Sequence, residues 1–238
     1  MTPRFLDAGE TALVVEFGQI IDPQITARVL TLDAALAARA PVGLLEQVPT
    51  YRSLMLHYDP LILSRASLVL AVTGCLTDAA PKPVSRRLWT LPACYDPEFA
   101  VDIGHVAATT GLPAEQVIET HSKARFVVTM YGFAPGWAYL GGLPAALTLP
   151  RRAAPRARTP AGSLIIAGGQ AIVATMPMPS GWHILGRTPE RLFRADRDPA
   201  FLLAVGDELT FEAVDRATFD ALARRADAGE TVGTSVPL

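Results

Sequence analysis

The sequence lacks long apolar runs, an excess of basic residues and paired cysteine motifs. Its most apolar run, Leu68 to Val72, is too short to cross a bilayer. Residues 1–7 contain no extended apolar segment, which predicts no secretory signal. Cys75 and Cys94 have neither metal-binding nor redox spacing, so we expect reduced thiols in the cytoplasm. With 21 basic and 23 acidic residues the formal charge is −2, which argues against binding to nucleic acid.

The common catalytic signatures are also missing from the sequence. It has no Walker A loop, no dinucleotide-type glycine fingerprint and no HExxH helix, and we identify no metal ligands in it. Ser163 lacks the glycine-flanked pentapeptide of an α/β-hydrolase nucleophile. Asp96, Glu98 and Asp102 cluster near a predicted helix start, where the helix dipole favours acidic residues without any catalytic role. A nucleotide would therefore have to bind without the usual phosphate loops.

The most distinctive segment is residues 131–144, which contain four glycines, two prolines and four aromatic residues. Glycine permits close backbone approach and positive φ, whereas proline fixes φ. This composition predicts a shaped loop, and binding sites are often found on such loops.

The first third of the chain has the pattern of a small α+β domain over residues 1–83. Asp22 and Pro23 predict the start of a helix that ends near Ala40. A second helix is predicted over about residues 60–76. Strands are predicted near residues 11–17, 44–48, 51–58 and 86–93, an order typical of a ferredoxin-like split βαβ unit. Pro81-Lys82-Pro83 is the predicted linker.

Residues 84–238 predict a second domain rich in short strands and turns. Helical patterns cover residues 98–110 and 113–123. Strand patterns, separated by glycine and proline turns, cover residues 125–130, 164–167, 171–175 and 209–214. This arrangement predicts a small β-barrel.

Arg151, Arg156 and Arg158 lie in a segment interrupted by prolines, which hold the chain extended. Arg156 and Arg158 then point to one face, where two guanidinium groups suit a carboxylate or a phosphate. A solvated basic loop explains the same residues.

His121 ends a helical pattern, so it is either a charge favoured by the helix dipole or a proton carrier. We expect Trp182 to pack in the core, since tryptophan does so more often than it stacks on a ligand.

Several segments together resemble one known family, in the expected order and over roughly residues 4–214. They are Pro49-Thr50-Tyr51-Arg52-Ser53-Leu54, His57-Tyr58-Asp59, Leu91-Pro92-Ala93-Cys94-Tyr95-Asp96, Gly132-Phe133-Ala134-Pro135-Gly136, Tyr139-Leu140-Gly141-Gly142-Leu143, Pro150-Arg151, the run from Pro155 to Ser163, Gly181-Trp182 and Leu185-Gly186-Arg187-Thr188-Pro189. The chain is thus similar to the family of KipI and the 5-oxoprolinase B subunit (PxpB), also called allophanate hydrolase subunit 1 (carboxyltransferase domain, subdomains C and D).

The resemblance implies a small N-terminal domain followed by a cyclophilin-like β-barrel. It implies cytoplasmic action with two partners, a KipA-like C subunit of 5-oxoprolinase and a barrel-type A subunit, which together with this chain cleave 5-oxoproline to glutamate at the expense of ATP. It implies catalytic roles for His121, Arg156 and Arg158. Substrate or nucleotide binding is implied for Gly132, Phe133, Ala134, Pro135, Gly136, Arg151, Gly162, Ser163, Gln170, Trp182 and Arg187. We expect the chain to be inactive without its partner subunits.

Two alternative functions follow from the same resemblance. One is the carboxyltransferase component of a urea carboxylase, and the other is a KipI-like inhibitor of a histidine kinase.

The sequence also departs from the family pattern: Gly168-Gly169-Gln170-Ala171-Ile172 stands where the family usually has Gly-Asn-Gln-Thr-Gly. The amide and hydroxyl that are lost there leave open a different amide or carboxylated urea compound as the substrate.

Overall fold

The computed structural model describes residues 2–77 and 86–238, which fall into two compact units, Met1–Val84 and Ser85–Leu238. The predicted linker Pro81-Lys82-Pro83 lies outside the described residues. Both units combine helices with sheets, which confirms the predicted mixture of α and β structure. Over these two described ranges, every helix is too short or too polar to cross a membrane.

The first unit is an antiparallel sheet with two helices. Its elements are β1 (Arg4–Asp7), β2 (Ala12–Glu16), α1 (Pro23–Arg39), β3 (Leu44–Pro49), β4 (Ser53–Tyr58) and α2 (Arg65–Thr77). The four strands lie in the order β1-β2-β4-β3. Helix α1 packs against β4 and α2, so the sheet and the helices share one core.

Helix α1 begins where the sequence predicts. The Asp22 carboxylate accepts a hydrogen bond from the backbone N–H of Gln24 at 2.7 Å, and Pro23 occupies the first turn. The helix buries an apolar stripe that meets the inward residues of β4. These side chains are Val29, Leu32, Leu36, Leu54 and Leu56. Burial of each leucine contributes about 2 kcal/mol, so the stripe fixes the helix on the sheet.

The second unit has its strands in an eight-stranded sheet and a separate two-stranded sheet. Its elements are β5 (Arg87–Ala93), α3 (Ile103–Thr110), α4 (Ala114–Ser122), β6 (Phe126–Tyr131), β7 (Ala138–Gly141), β8 (Arg156–Thr159), β9 (Ser163–Ala167), β10 (Gln170–Val173), β11 (Met178–Ser180), β12 (His183–Arg187), β13 (Glu208–Ala213), α5 (Arg216–Asp227) and β14 (Thr234–Pro237). The large sheet has the order β12-β9-β10-β7-β6-β13-β5-β14, and β8 pairs with β11.

The strand predicted near residues 86–93 belongs to this second sheet and not to the first unit. As β5 it pairs in parallel with β13 and antiparallel with β14. The first sheet instead takes its fourth strand from β1, which pairs with β2. Strand β1 has only four residues and is largely exposed, so it carries no hydrophobic pattern from which the sequence could predict it.

The large sheet does not close into a barrel by continuous pairing. Its end strands are β12 and β14, and a single antiparallel bridge between Cys94 and Arg187 joins β12 to the residue that follows β5. Gly186 allows this approach, because a Cβ there would press against the Cys94 carbonyl oxygen and the Tyr95 ring.

Strand β9 is buried on both of its faces. Leu164 and Ile166 join the main core, whereas Ile165 and Ala167 join a smaller cluster that contains Trp137. This double burial gives a continuous apolar run instead of alternation. Strand β9 therefore anchors the region where the site residues gather.

Candidate functional site

A pocket of about 320 Å³ lies in the second unit beside the segment that leads into α3. It is lined by Glu98, Phe99, Val101, Arg156, Arg158, Pro160, Ser163, Ile184 and Arg187. Four of these, Arg156, Arg158, Ser163 and Arg187, are residues that the sequence analysis predicted for the site. A lining that combines guanidinium groups with apolar residues suits a small anionic ligand with an apolar part.

Arg156 is held in place by a buried carboxylate. Its Nη1 donates to Asp102 Oδ2 at 3.0 Å and its Nη2 donates to Oδ1 at 2.8 Å, a bidentate pair. Arg152 Nη1 also donates to Oδ1 at 2.8 Å, and the backbone N–H of Ile184 donates to Oδ2 at 2.8 Å. The Arg156 guanidinium is thus engaged largely by the fold, and its orientation at the pocket wall is fixed.

Asp102 stays ionised in this setting. Burial acts to raise its pKa, but the hydrogen bonds from Arg156 and Ile184 and the charges of Arg156 and Arg152 together hold the pKa below its ordinary value. Asp102 precedes α3, yet its side chain makes no capping hydrogen bond. The sequence analysis explained Asp102 by the helix dipole, but its main contacts are with Arg152 and Arg156.

Arg158 presents the least engaged guanidinium in the pocket. It lies two residues beyond Arg156 on β8 and lines the same pocket, as side-chain alternation along a strand predicts. The side chain is exposed. Across residues 2–77 and 86–238, no hydrogen bond or ion pair engages this guanidinium. Arg158 is therefore available to a ligand.

Arg187 and Phe99 form a second wall. The Arg187 guanidinium carbon lies 5.5 Å from the Phe99 ring centre, and Arg216 lies 4.5 Å from the same ring. Arg187 Nε donates to the Ala161 carbonyl oxygen at 2.8 Å. Burial lowers the pKa of Arg187, and the neighbouring Arg191 and Arg216 charges act in the same direction. Glu98, also in the wall, forms an ion pair with Arg216.

Ser163 lines the pocket, and Gly162 belongs to the turn that precedes it. Ser163 opens β9 and is buried, with its side chain lining the pocket. Gly162 has φ 79°, and a Cβ there would clash with the Thr188 carbonyl oxygen, so only glycine fits. The Gly162 N–H donates to Ala174 O at 2.6 Å and the Gly162 carbonyl accepts from Thr188 at 2.9 Å, which fixes the turn on both sides.

The glycine-rich loop Gly132–Gly136 does not line this pocket. Pro135 O accepts a hydrogen bond from Thr175 Oγ1 at 2.7 Å, and Gly136 packs so tightly against Phe193 that a Cβ would clash. The loop lies instead next to a cavity of about 10 Å³ that Thr175 and Phe193 line with Gly162. This cavity has room for about one water molecule. The turn at Gly162 separates the two sites.

The backbone of this loop is strained at Phe133. Phe133 has φ 74°, and the Ala134 N–H donates to Gly132 O at 2.9 Å, which makes a γ-turn. The exposed Phe133 ring packs edge-on against Trp137 at 5.5 Å. The N–H groups of Gly132, Ala134 and Trp137 all donate within this segment, so few backbone donors of the loop are left for a substrate or nucleotide.

Three other predicted binding residues lie away from the pocket. Trp182 is buried in the cluster on the outer face of β9, and the Arg151 guanidinium carbon lies 5.7 Å from its ring centre. Gln170 pairs with Ala167, at the opposite end of β9 from Ser163, about 13 Å along the strand. Gln170 Nε2 is buried and has no hydrogen-bond partner among the described residues.

His121 packs inside the core. It is 1% exposed, its ring stacks on Phe211 at 5.1 Å, and its Nδ1 lies 2.9 Å from the Tyr95 hydroxyl oxygen. Burial lowers the pKa of His121 to about 3, so the ring is neutral at physiological pH. These surroundings favour a packing role for His121, and its role in proton transfer stays a prediction.

Sequence reasoning missed Asp102, Arg152 and Phe99 as parts of the site. The only signal was the acidic cluster at the start of α3, which has a simpler explanation in the helix dipole. The Asp102–Arg156 contact spans 54 positions in sequence, so no local pattern reports it. Across the described part of the chain, no group of three or more His, Cys, Asp or Glu side chains is placed to hold a metal ion.

The comparisons with known proteins agree with one another. The model of the family described as carboxyltransferase domain, subdomain C and D, matches residues 3–203. The chain is 34% identical to the 5-oxoprolinase B subunit of Bacillus subtilis over 234 residues, which cover 93% of this chain and 98% of that protein. It is 35% identical to the 5-oxoprolinase B subunit of Escherichia coli O157:H7 over 204 residues, which cover 85% of this chain and 92% of that protein.

A solved structure extends the similarity at the level of the fold. The urea carboxylase of Kluyveromyces lactis superposes with a TM-score of 0.79 over 99% of this chain and 24% of that chain, at 16% identity. At this identity the likeness shows the fold alone.

Proposed function

The chain belongs to the carboxyltransferase-domain family, subdomains C and D, and is homologous to the 5-oxoprolinase B subunit; from this premise we propose that it is the B subunit of an ATP-dependent 5-oxoprolinase. One observation carries the proposal: the match to the Bacillus subtilis protein extends over 93% of this chain and 98% of that protein. Correspondence over nearly the whole of both chains supports equivalence of the two proteins more strongly than a shared domain does.

The proposed complex contains two further proteins, the KipA-like subunit of 5-oxoprolinase and the barrel-type subunit, and it acts in the cytoplasm. The name of the relatives as a subunit supports a multi-subunit enzyme. ATP is used at the level of the complex, and we expect no turnover from this chain alone. Within the same proposal, residues 1–83 are a ferredoxin-like domain and residues 84–238 are a cyclophilin-like domain.

The chemistry proposed for the complex is the opening of an unstrained lactam. ATP phosphorylates the amide oxygen and ADP leaves. Water adds to the activated carbon, and the C–N bond breaks as the ring opens to an acyl phosphate. A second water then hydrolyses the acyl phosphate to glutamate and phosphate. Negative charge develops on oxygen in these steps, and fixed cationic groups stabilise it. In this chain, Arg158 and Arg187 support binding of the substrate for these steps, because neither is paired with a carboxylate within the described residues.

Reconstitution tests the proposal. The purified chain is mixed with the KipA-like and barrel-type subunits, 5-oxoproline and ATP, and glutamate and ADP are measured. We expect both products from the complete mixture, and neither when this chain is omitted. A complete, correctly assembled mixture that releases no glutamate would refute the assignment.

The fold similarity to urea carboxylase supports a second candidate function, the carboxyltransferase component of a urea-type carboxylase. This candidate requires a biotin carboxylase and a biotin carrier, and their genes beside this one would favour it. A neighbouring gene for the barrel-type subunit would favour the 5-oxoprolinase. The third candidate, a histidine kinase inhibitor, requires a kinase in the bound fraction of a pull-down.

A further inference from the structure

The positive side chains around the pocket outnumber the negative ones. Both Asp102 oxygens accept from Arg156, and Glu98 is paired with Arg216. Arg158 and Arg187 have no carboxylate partner among the described residues, although both line the pocket. An anion placed between these two side chains would offset their charge. The pocket thus carries a net positive field that selects for an anionic ligand.

Four backbone N–H groups of the pocket and of the turn beside it are engaged by the fold. Protein sites for phosphate chains usually present several successive backbone N–H groups. Here the N–H groups of Gly162, Ser163, Ile184 and Arg187 donate to Ala174 O, Pro160 O, Asp102 Oδ2 and Cys94 O, at 2.6, 3.3, 2.8 and 2.9 Å respectively. Pro160 has no N–H. The guanidinium of Arg158, the Nη groups of Arg187 and the hydroxyl of Ser163 remain as side-chain donors. Planar guanidinium groups match a planar carboxylate.

The size and the apolar lining residues limit the ligand further. A volume of about 320 Å³ lies at the lower end of the range of ligand pockets, about 300–1,000 Å³. Val101, Pro160 and Ile184 are the apolar residues that line the pocket together with the charged groups. Such a site accommodates one small ring with an acid group.

We infer that this pocket binds a small cyclic monocarboxylate through Arg158, Arg187 and Ser163, and that it does not bind the phosphates of ATP. The inference deepens the proposed function, and it rests on that function only for the identity of the ligand, 5-oxoproline. Arg158 is the carboxylate anchor, Arg156 is a wall residue positioned by Asp102, and the ring lies against Val101 and Ile184.

Titration of the full chain by NMR tests the inference. The probes are 5-oxoproline, 2-pyrrolidinone, which has the same ring without the carboxylate, inorganic phosphate and ATP. The variants are Arg158→Gln, Arg158→Lys and Arg224→Gln. Arg224 is the matched control, because it is an exposed arginine of the same unit, away from the pocket, and its side chain has no hydrogen bond within the described ranges.

We expect 5-oxoproline to shift resonances of pocket residues, and 2-pyrrolidinone to bind at least about tenfold more weakly. Arg158→Gln should weaken 5-oxoproline binding by a similar factor, Arg158→Lys should weaken it less, and Arg224→Gln should leave it unchanged. Phosphate and ATP should not compete with 5-oxoproline for the pocket.

Three results would overturn the inference: no binding of 5-oxoproline at millimolar concentration, equal binding to the wild type and to Arg158→Gln, or displacement of 5-oxoproline by ATP or phosphate. These results are distinct from failure of the proposed function. An active reconstituted complex that contains this chain, when the chain itself fails this titration, would overturn the pocket assignment alone. A chain that passes the titration but yields no active complex would keep the carboxylate site and remove the 5-oxoprolinase assignment.

Discussion

Asp102 and Arg156 form a bidentate ion pair in which both carboxylate oxygens accept from one guanidinium group, at 2.8 and 3.0 Å. Asp102 is only 4% exposed, and Arg152 and the Ile184 N–H complete its hydrogen bonds. A buried carboxylate with this many donors is a structural centre, and it links the start of α3 to β8 and β12. Loss of this ion pair should therefore destabilise the wall of the pocket.

Replacement of Asp102 by asparagine should destabilise the protein. The change leaves Arg152 and Arg156 without a countercharge while they remain more than two-thirds buried, at an expected cost of about 3 kcal/mol. Urea unfolding followed by circular dichroism measures this loss. The matched control is Asp227→Asn, because Asp227 is 61% exposed in its ion pair with Arg191 and should matter little. Equal losses in the two variants would contradict the assigned role of Asp102.

Arg156→Ala and Arg158→Ala should separate stability from activity. Arg156→Ala removes two hydrogen bonds to a buried carboxylate, so we expect a free-energy loss of about 2 kcal/mol and a melting temperature several degrees lower. Arg158→Ala removes a side chain without partners in the described residues, so the melting temperature should stay the same. Differential scanning calorimetry measures both values.

In the reconstituted enzyme, Arg158→Ala should raise the KM for 5-oxoproline by about tenfold or more. If instead Arg158→Ala lowered the melting temperature and left KM unchanged, the residue would belong to the fold and not to the site.

His121 should make stability depend on pH. The unfolded chain binds the His121 proton near the ordinary value of 6.5, whereas burial lowers the folded pKa to about 3. Stability from this residue is therefore fully present above pH 6.5 and is lost as the pH falls from there toward 3, by up to about 1.4 kcal/mol per pH unit. Urea unfolding at a series of pH values, with His121→Gln as the comparison, measures the slope. The same slope in both proteins below about pH 6 would show that His121 is protonated in the folded state.

Gly162→Ala should destabilise the turn that carries Ser163. The added Cβ meets the Thr188 carbonyl oxygen in addition to the strain of φ 79°, so we expect a loss above about 2 kcal/mol. Gly168→Ala is the matched control, because φ is 57° there and a Cβ meets open space, so only the left-handed conformation is penalised, by about 1 kcal/mol. Thermal unfolding of the two variants measures the difference, and identical values would remove the steric explanation.

Local patterns in the sequence account for much of the fold. Capping chemistry predicts the Asp22-Pro23 start of α1, and the two faces of a strand predict the alternation of Leu54 and Leu56. Both signals lie within a few residues of the element that they describe. Strand β5 has an equally clear pattern, but its partners β13 and β14 are far along the chain, and its place in a sheet depends on them.

The site is predictable only in part, and for a related reason. Arg156 and Arg158 share a face because side chains alternate, a local rule. Asp102 and Phe99 reach the pocket through contacts with Arg156 and Arg187, respectively, over long sequence separations. The loop Gly132–Gly136 has the composition of a binding loop, yet its neighbours Thr175 and Phe193 direct it to the other side of the Gly162 turn.

The two walls of the pocket differ in how firmly the rest of the molecule holds them. Ser163 begins β9, a strand packed from above and below, whose amides we expect to be among the slowest to exchange with deuterium. Arg158 sits on β8, whose only strand partner in the described chain is β11. A ligand would thus meet, on one side, a hydroxyl on a doubly packed strand and, on the other, a cation on a strand that the rest of the unit holds mainly through the Asp102–Arg156 pair.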